Sequence, residues 1–304
     1  NIQTFLLSII IGTLAGMPKK PMYGFLFAII GSCCWILFAY SQFVSHLIIW
    51  EIIRPVLSST LTQLSVFSYA FIILGKDKRF LRSTFGTYIS PKLIDQMIDH
   101  KAEPQLGGEE GYHTAFFTDI QSFSAFSEKL TASELVALLN QYLTDMTDVL
   151  LENNGTLDKY IGDALMAHWG TLSQDENPTL NAVAAAVGFR DAIRQFNAER
   201  VEEGLLPIGM GVGVNSGPLV AGYMGAKKRL EYTVIGDTVN TASRLCGLAE
   251  PDQVVISAAT LSEIRDFVEV EYLGTKKVKG KEQGVEAYQV LSIRPGAVPA
   301  AGGK

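Results

Sequence analysis

The chain has 304 residues, of which 48% are hydrophobic and only 18% are charged, and its formal net charge is −6. The charges are unevenly distributed, because the first 75 residues contain only four charged side chains. This contrast predicts a membrane part followed by a soluble part. The excess of acidic over basic residues excludes a protein whose main function is to bind nucleic acid. Such binding is driven by counterion release and needs a basic surface. Three cysteines, of which Cys33 and Cys34 are adjacent in an apolar stretch and Cys246 is distant, exclude a disulfide framework and a cysteine-rich zinc site.

Three nearly uncharged runs occupy residues 2–16, 22–49 and 55–75. A bilayer core is crossed by about 20 mostly apolar residues in a helix, so residues 1–75 are predicted to form three transmembrane helices. By the positive-inside rule, the basic residues at 19–20 and 76–82 would lie in the cytoplasm. We therefore expect a multi-pass protein of the plasma membrane whose following domain is cytoplasmic. The alternative is a set of buried helices in a large soluble core.

The chain starts with Asn1 instead of Met, and we expect it to be a fragment of a longer protein. Residues 76–106 are predicted to form a cytoplasmic linker with a signal-transducing helix, which Ser90 caps and Pro91 opens. Apolar spacings of three and four give this helix a stripe that would pack on a second copy. A simple spacer helix is the alternative.

From Tyr112 onward the periodicity alternates between strand and helix. The predicted elements begin with a strand at 113–118, a helix opened by the capping box at 131–134, hairpin strands at 156–161 and 164–169, a helix after Asn177-Pro178, and a strand at 208–214. This order, βαββαβ, indicates a ferredoxin-like α+β domain, with an antiparallel sheet and helices on one face.

Further elements are predicted after these six strands and helices: a strand between the glycines at 217 and 225, a strand at 229–235, a helix at 237–248, and terminal strands near 267–272 and 285–291. Residues 107–293 are therefore taken as one domain. Residues 294–304, rich in Pro, Gly and Ala, are expected to form a flexible tail.

Two carboxylates stand at the ends of predicted elements. Asp119 ends the first strand, and Asp163 lies at the tip of the hairpin. The first and third strands, taken as edge strands, are neighbours in a βαββαβ order, so the two side chains are expected to converge. Two carboxylates beside helix-start amides suit Mg²⁺ or Mn²⁺ with a polyphosphate. Taken singly, Asp119 is equally typical of an N-cap and Asp163 of a turn.

A second cluster is cationic and polar. Asn240 and Arg244 are four residues apart and share one face of the predicted helix, and Lys279 lies in a basic run. An Arg and a Lys on different elements suit a triphosphate, and an amide suits a sugar. The alternative for the run at 276–281 is a solvated turn. Three other polar residues are given no chemistry: Asp237 as helix N-cap, His168 as a strand residue, and Asp158 as exposed.

In this order, the segments Phe116-Phe-Thr-Asp-Ile-Gln-Ser-Phe-Ser124, Lys159-Tyr-Ile-Gly-Asp163, residues 232–245 and Val278-Lys-Gly280 resemble the class III nucleotidyl cyclases. The resemblance covers roughly residues 112–293. The three apolar runs and residues 85–91 also resemble bacterial cyclases that carry an extracytoplasmic CHASE2-type sensor upstream. That sensor would be missing from this fragment.

The resemblance implies a homodimer with composite sites, in which ATP is converted to 3′,5′-cyclic AMP and pyrophosphate by attack of the ribose 3′ oxygen. On one protomer, two divalent metal ions, Mg²⁺ or Mn²⁺, would be held by Asp119, Asp163 and the carbonyl of Ile120, and phosphates by amides around Phe123 and Ser124. The partner would supply Lys159 and Thr233 to the base, Asn240 to the ribose, Arg244 to the α-phosphate and Lys279 to the terminal phosphates.

Base selection depends on Lys159 and Thr233. Lysine can donate to N1 of adenine and the threonine hydroxyl can accept from its amino group, whereas guanine has a donor at N1 and an acceptor at O6. Family guanylate cyclases typically carry Glu and Cys at these positions, and many members carry Asp where this chain has Thr233. The prediction is an adenylate cyclase. The alternatives are a guanylate cyclase, a catalytically silent nucleotide-sensing module, and a diguanylate cyclase or polymerase-palm relative, for which no Gly-Gly-Asp-Glu-Phe-like turn is present.

Overall fold

The computed structural model describes residues 21–47, 105–172, 175–279 and 283–296, together with Lys281 and scattered positions between 49 and 97. The chain divides into two compact units, Asn1–Tyr88 and Ile89–Lys304.

In the first unit, helix α1 spans Pro21–His46. Its segment Ile29–His46 is, by length and composition, the one described helix that is able to cross a membrane, and 6% of it is buried. The second predicted span is therefore helical. The first predicted span lies outside the described residues, and the third is described only at scattered positions, which are helical from 53 to 68.

The linker is described at a few positions of the second unit. The carbonyl of Ser90 accepts hydrogen bonds from the amides of Leu93 and Ile94 at 3.0 and 3.1 Å, which begins a helical turn there as predicted. Leu93 and Ile94 are buried within the chain. Lys92 donates from Nζ to the carbonyl of Asn154 at 2.8 Å, and burial lowers its pKa. This turn therefore packs on the domain that follows it.

The second unit is an α+β domain. Its elements in chain order are β1 (Gly107–Ile120), α2 (Phe123–Ser127), α3 (Ala132–Glu152), β2 (Thr156–Ile161), β3 (Ala164–Trp169), α4 (Pro178–Glu202), β4 (Met210–Ala226), β5 (Arg229–Ile235), α5 (Asp237–Leu248), β6 (Gln253–Ser257), α6 (Ala258–Ile264), β7 (Val268–Lys276) and β8 (Val285–Ile293).

The sheet has the strand order β2-β3-β1-β4-β6-β8-β7, and β5 pairs with β4. All neighbours are antiparallel except β4 and β6. The order β1-α3-β2-β3-α4-β4 confirms the predicted βαββαβ arrangement. The prediction that β1 and β3 are edge strands was wrong, because β3 lies between β2 and β1, and β1 lies between β3 and β4. The strand predicted at 208–214 is also longer, since β4 continues through its glycines to Ala226.

Local signals explain where the long helices begin. Thr131 accepts a hydrogen bond from the amide of Glu134 at 3.3 Å, and the Glu134 carboxylate accepts one from the amide of Thr131 at 2.8 Å. This is the predicted capping box. At α5 the prediction was wrong, because Gly236, with φ 151°, is the N-cap and Asp237 lies inside the first turn. Glycine is suited to that φ, and the Asp237 carboxylate instead pairs with Lys281 at 2.7 Å.

Two apolar clusters lie on opposite faces of the sheet. Phe116 faces α3 and α4 and stacks at 5.4 Å from Trp169 and 5.1 Å from Phe189 between ring centroids. The adjacent Ala115 points the other way, into a cluster that includes Val239 of α5. Helices therefore cover both faces, and the prediction of helices on one face was wrong for α5.

His168 is the predicted strand residue, and it is completely buried in β3. Its Nδ1 lies 2.7 Å from the Thr171 hydroxyl, and burial lowers the pKa of the ring to about 3. The folded pKa is below the unfolded value, so the unfolded chain binds the proton more strongly between about pH 3 and 6.5. The free energy of unfolding therefore decreases because of this histidine as the pH falls below about 6.5.

We expect His168→Gln to weaken the acid sensitivity of folding. One such group contributes about 1.4 kcal/mol of unfolding free energy per pH unit below its unfolded pKa. Glutamine can still bond to Thr171 but does not titrate. Unfolding of the full chain in detergent between pH 5 and 7.5 measures the slope. His46→Gln, at an exposed position in α1, is the matched control. Equal slopes for wild type and His168→Gln would contradict the prediction.

Candidate active site

The two predicted carboxylates meet at one end of β1. Thr118 pairs with Leu165 across β1 and β3, which brings Asp119 beside the hairpin tip that carries Asp163. The Ile120 amide donates to Oδ2 of Asp163 at 3.3 Å. Partial burial, the negative charge of Asp163 and a hydrogen bond between the two carboxyl groups raise the pKa of Asp119 to about 6. The structure therefore brings these side chains together as the sequence predicted.

The carboxylate pair has the chemistry of an open site for a hard cation. In the described part of the chain, no three His, Cys, Asp or Glu side chains converge as a metal cluster. Magnesium typically uses one or two carboxylates and completes its coordination with water and substrate phosphates. Burial, first, and the repulsion between the two carboxylates raise the pKa of Asp119, and a bound cation would relieve that repulsion. Asp119 and Asp163 thus fit a cation that is shared with a phosphorylated ligand.

The predicted phosphate amides begin the short helix α2, directly after β1. Ser122 has a left-handed backbone, with φ 54°, and its side chain does not cap the helix. Phe123 and Ser124 follow it as the first residues of α2. Amides of a first helical turn lack partners inside their helix. Their position four and five residues after Asp119 places them near the carboxylate pair along the chain.

Asn240 and Arg244 lie on α5, one turn apart. Asn240 is exposed and Arg244 is half-buried. The Nη1 atom of Arg244 is buried and has no hydrogen-bond partner among the residues that the structure describes. A buried guanidinium nitrogen without a partner is costly, so this end of the side chain is suited to an anionic ligand.

Gly213 holds α5 close to the sheet, and the sequence analysis did not identify this role. A Cβ atom on Gly213 would lie 2.2 Å from the amide nitrogen of Cys246 and 2.3 Å from the carbonyl oxygen of Ala242. Both atoms belong to the backbone of α5, so only glycine fits. The available signal was a glycine inside an apolar strand, which often marks a close backbone approach.

Lys159 and Thr233, the two residues predicted to read the base, are linked through Asp158. Lys159 donates from Nζ to Oε2 of Glu231 at 3.0 Å and lies 3.3 Å from Oδ1 of Asp158. Thr233 donates from Oγ1 to Oδ2 of Asp158 at 2.6 Å. Although Lys159 is on β2 and Thr233 on β5, the structure brings them to one place.

The prediction that Asp158 is exposed was wrong, because its side chain has 0% exposure. The pairing of β2 with β3 slips between Leu157 and Lys159, so Asp158 is the extra residue of a β-bulge. A bulge turns a side chain away from its regular alternation. The buried Asp158 is therefore a site residue that the sequence analysis missed, and the register slip depends on strand pairing that no local pattern reveals.

Lys279 is exposed in the connection between β7 and β8. Its neighbour Lys281, which the sequence analysis gave no role, forms the ion pair with Asp237 at the start of α5. Within the described residues, the structure thus groups the predicted site into the carboxylate pair, the Lys159 and Thr233 group, the α5 face and the exposed Lys279.

Comparison with known proteins identifies the domain. The family model described as the adenylate and guanylate cyclase catalytic domain matches residues 109–292. Adenylate cyclase 1 of Rhizobium meliloti is 32% identical over 215 residues, which cover 69% of this chain and 32% of that protein. The chain therefore spans about a third of the length of this relative.

Solved structures agree with the family match. The adenylyl cyclase CyaB from P. aeruginosa is 35% identical with a TM-score of 0.60, over 62% of this chain and 98% of that chain. The guanylyl cyclase Cya2 is 32% identical with a TM-score of 0.60, over 63% of this chain and 97% of that chain. The fold and these matches show that the chain belongs to the adenylate and guanylate cyclase catalytic domain family, the class III nucleotidyl cyclases.

Proposed function

We propose that this chain is a membrane-anchored adenylate cyclase that converts ATP to 3′,5′-cyclic AMP and pyrophosphate at composite sites of a homodimer. The observation that carries the proposal is the convergence of Asp119 and Asp163 at the end of β1, in a domain of the cyclase family. A carboxylate pair open to a shared cation is what phosphoryl transfer from a nucleotide requires.

ATP is favoured over GTP by the donor and acceptor pattern of Lys159 and Thr233. An ammonium group donates to N1 of adenine, and a hydroxyl oxygen accepts from the exocyclic amino group. Guanine presents the opposite pattern, a donor at N1 and an acceptor at O6. The similarity to an adenylate cyclase of Rhizobium meliloti supports this choice. The comparable similarity to the guanylyl cyclase Cya2 makes GTP the second candidate substrate.

In this proposal, Asp119 and Asp163, with the backbone of Ile120, hold two divalent ions, Mg²⁺ or Mn²⁺. When bound there, such ions neutralise phosphate charge and lower the pKa of the ribose 3′ hydroxyl. Within the same protomer, the first amides of α2, at Phe123 and Ser124, donate to the phosphates.

The partner protomer orients and stabilises the nucleotide through its own residues. Lys159 and Thr233 bind the base, Asn240 orients the ribose, Arg244 donates to the α-phosphate and Lys279 to the terminal phosphates. The 3′ hydroxyl gives up its proton to water, and its oxygen forms a bond to the α-phosphorus while the bond from that phosphorus to the bridging oxygen breaks, so that pyrophosphate leaves in line. The guanidinium of Arg244, whose buried Nη1 has no hydrogen-bond partner among the described residues, stabilises the charge that develops at the α-phosphate.

The proposal also gives the protein a place in the cell. The scarcity of charge before residue 76 and the apolar α1 support anchoring in the plasma membrane by several spans, with the cyclase domain in the cytoplasm. We propose in addition that an extracytoplasmic sensor domain precedes residue 1 and regulates the activity.

Product analysis tests the substrate. We expect the purified full chain in detergent, with Mg²⁺ or Mn²⁺, to form cyclic AMP from ATP with a kcat/KM at least about tenfold above that for cyclic GMP from GTP, since one mismatched polar contact is worth about 1.4 kcal/mol. Chromatography with mass spectrometry identifies the products. A preference for GTP would favour the guanylate cyclase, and no cyclic product from a verified dimer would refute the enzyme.

A further inference from the structure

A single buried carboxylate touches both residues of the proposed base-binding group. Oδ2 of Asp158 accepts hydrogen bonds from the Thr233 hydroxyl at 2.6 Å and from the Val234 amide at 3.3 Å. Its Oδ1 lies 3.3 Å from Nζ of Lys159. The side chain itself has 0% exposure, so Asp158 has no direct access to solvent.

The bond between Thr233 and Asp158 has a fixed direction. An ionised carboxylate can only accept, and a hydroxyl group has one hydrogen, so the hydrogen of Thr233 is used by Asp158. The distance of 2.6 Å is typical of a strong, charge-assisted O–H···O⁻ bond. The Thr233 oxygen is then left with lone pairs alone, and toward any further group it acts as an acceptor.

This direction matters because a hydroxyl group normally adapts to its partner. A freely rotating hydroxyl donates to the O6 carbonyl of guanine as readily as it accepts from the amino group of adenine. A hydroxyl whose hydrogen is already donated to another group can still accept a hydrogen bond from the amino group of adenine. Opposite the O6 of guanine it places one acceptor against another, and no hydrogen bond forms. Leaving buried polar groups unpaired costs about 1–3 kcal/mol, so the commitment converts Thr233 from a tolerant residue into a selective one.

Asp158 acts on Lys159 at the same time. The ammonium group of Lys159 lies near two carboxylates, Asp158 at 3.3 Å and the exposed Glu231 at 3.0 Å. An ammonium group has three donors, so a donor remains for N1 of a purine beside the hydrogen bond to Glu231 and the ion pair with Asp158. These carboxylates raise the pKa of Lys159 against the effect of burial, which keeps the group a donor.

We infer that Asp158 is a specificity-determining positioning residue, which fixes the Thr233 hydroxyl as an acceptor and so makes the site select adenine nucleotides over guanine nucleotides. The inference rests on the proposed function, because it assigns the base to Lys159 and Thr233. Asp158 acts through those residues and does not touch the base itself. It lies in a β-bulge, where an irregular strand aims a side chain that regular pairing would direct elsewhere.

The test is the ratio of kcat/KM for ATP to that for GTP in the full chain. We expect Asp158→Ala to lower this ratio about tenfold, which corresponds to about 1.4 kcal/mol. The change should appear mainly in the KM values for ATP and GTP and not in kcat. Contacts to the base are equally strong in the bound substrate and in the transition state, so their loss weakens binding without slowing the chemical step. Asp158→Asn should keep the ratio within about threefold of wild type, because the fixed Val234 amide holds the oxygen of the new side chain on the Thr233 side.

A double-mutant cycle links the effect to Thr233. In a Thr233→Val background no hydroxyl remains to be oriented, so adding Asp158→Ala should change the ratio much less than it does when Thr233 is present. Glu231→Gln is the matched control, since Glu231 also pairs with Lys159 but does not contact Thr233 among the described residues. Its ratio should equal that of wild type.

Each outcome has one meaning. A wild type that prefers GTP refutes the proposed function, and a wild type that prefers ATP with an unchanged ratio in Asp158→Ala refutes only this inference. An equal loss with both nucleotides would make Asp158 merely structural. If Asp158→Ala does not fold, the cycle is run with Asp158→Ser, which is small and uncharged and gives the same expected ratio.

Discussion

Mixing two inactive variants, Asp119→Ala and Arg244→Ala, is expected to restore cyclase activity that neither variant has alone. Each variant should lose about 100-fold to 1000-fold in turnover, as is typical when one preorganised charged group is removed from a site. In a mixed dimer, however, the chain that keeps Asp119 and the chain that keeps Arg244 assemble one complete site. The rescue follows from the proposed composite arrangement of the homodimer.

The size of the rescue can be stated. Equal amounts of two chains that associate randomly form mixed dimers as about half of all dimers, and each has one intact site of two. The unfractionated mixture should therefore reach about a quarter of wild-type activity, and mixed dimers purified through both tags should reach about half. The measurement is cyclic AMP formation after the chains, carrying different tags, are co-expressed and purified through both tags.

A matched pair of variants serves as the control. Asp119→Ala and Asp163→Ala both damage the carboxylate pair, so a mixed dimer of these two chains has no intact site and should stay inactive. Tandem purification shows whether mixed dimers form. If they form from Asp119→Ala and Arg244→Ala and no activity returns, the composite site is wrong.

Gly213→Ala is expected to be nearly inactive and to be less stable than wild type. The added Cβ would collide with the backbone of α5 at Ala242 and Cys246, so the helix must move away from β4. Overpacking of this kind costs about 1–3 kcal/mol of unfolding free energy. Because α5 carries Arg244, a displacement of about 1 Å should also cost about 100-fold in turnover.

Gly247→Ala is the matched control for this substitution. Gly247 lies on the same helix, but a Cβ at that position meets nothing within 4 Å. Alanine favours a helix over glycine by up to about 1 kcal/mol, so this variant should be as active as wild type and slightly more stable. Thermal unfolding and cyclic AMP formation measure both effects. A Gly213→Ala protein with wild-type turnover would contradict the proposed role of the close contact.

The parts of the fold that the sequence predicted are those governed by local chemistry. The capping box at Thr131, the Asn177 cap and the Gly162-Asp163 hairpin each specify their own element within a few residues. Asp119 and Asp163 were found because each ends such an element. Their meeting then follows from the pairing of β1 with β3, which the βαββαβ order implies.

The features that the sequence did not predict depend on distant parts of the chain. The burial of Asp158 arises from a register slip between two strands, and its acceptor role involves Thr233, 75 residues later. The contact of Gly213 is with a helix about 30 residues further on. The glycines after Val214 were interpreted as ends of a strand, whereas pairing on both sides carries β4 through them.

Strand β4 has a consequence for regulation. Its backbone is continuous from Met210 to Ala226, with α5 seated against Gly213 and Thr233 of β5 paired opposite Gly222. Arg244 and Thr233, which is proposed to bind the base, are thus held on one continuous strand and keep a constant spacing. In the proposed homodimer, a stimulus that changes turnover is therefore expected to act by reorienting one protomer against the other, because the spacing of these two groups within each protomer is fixed.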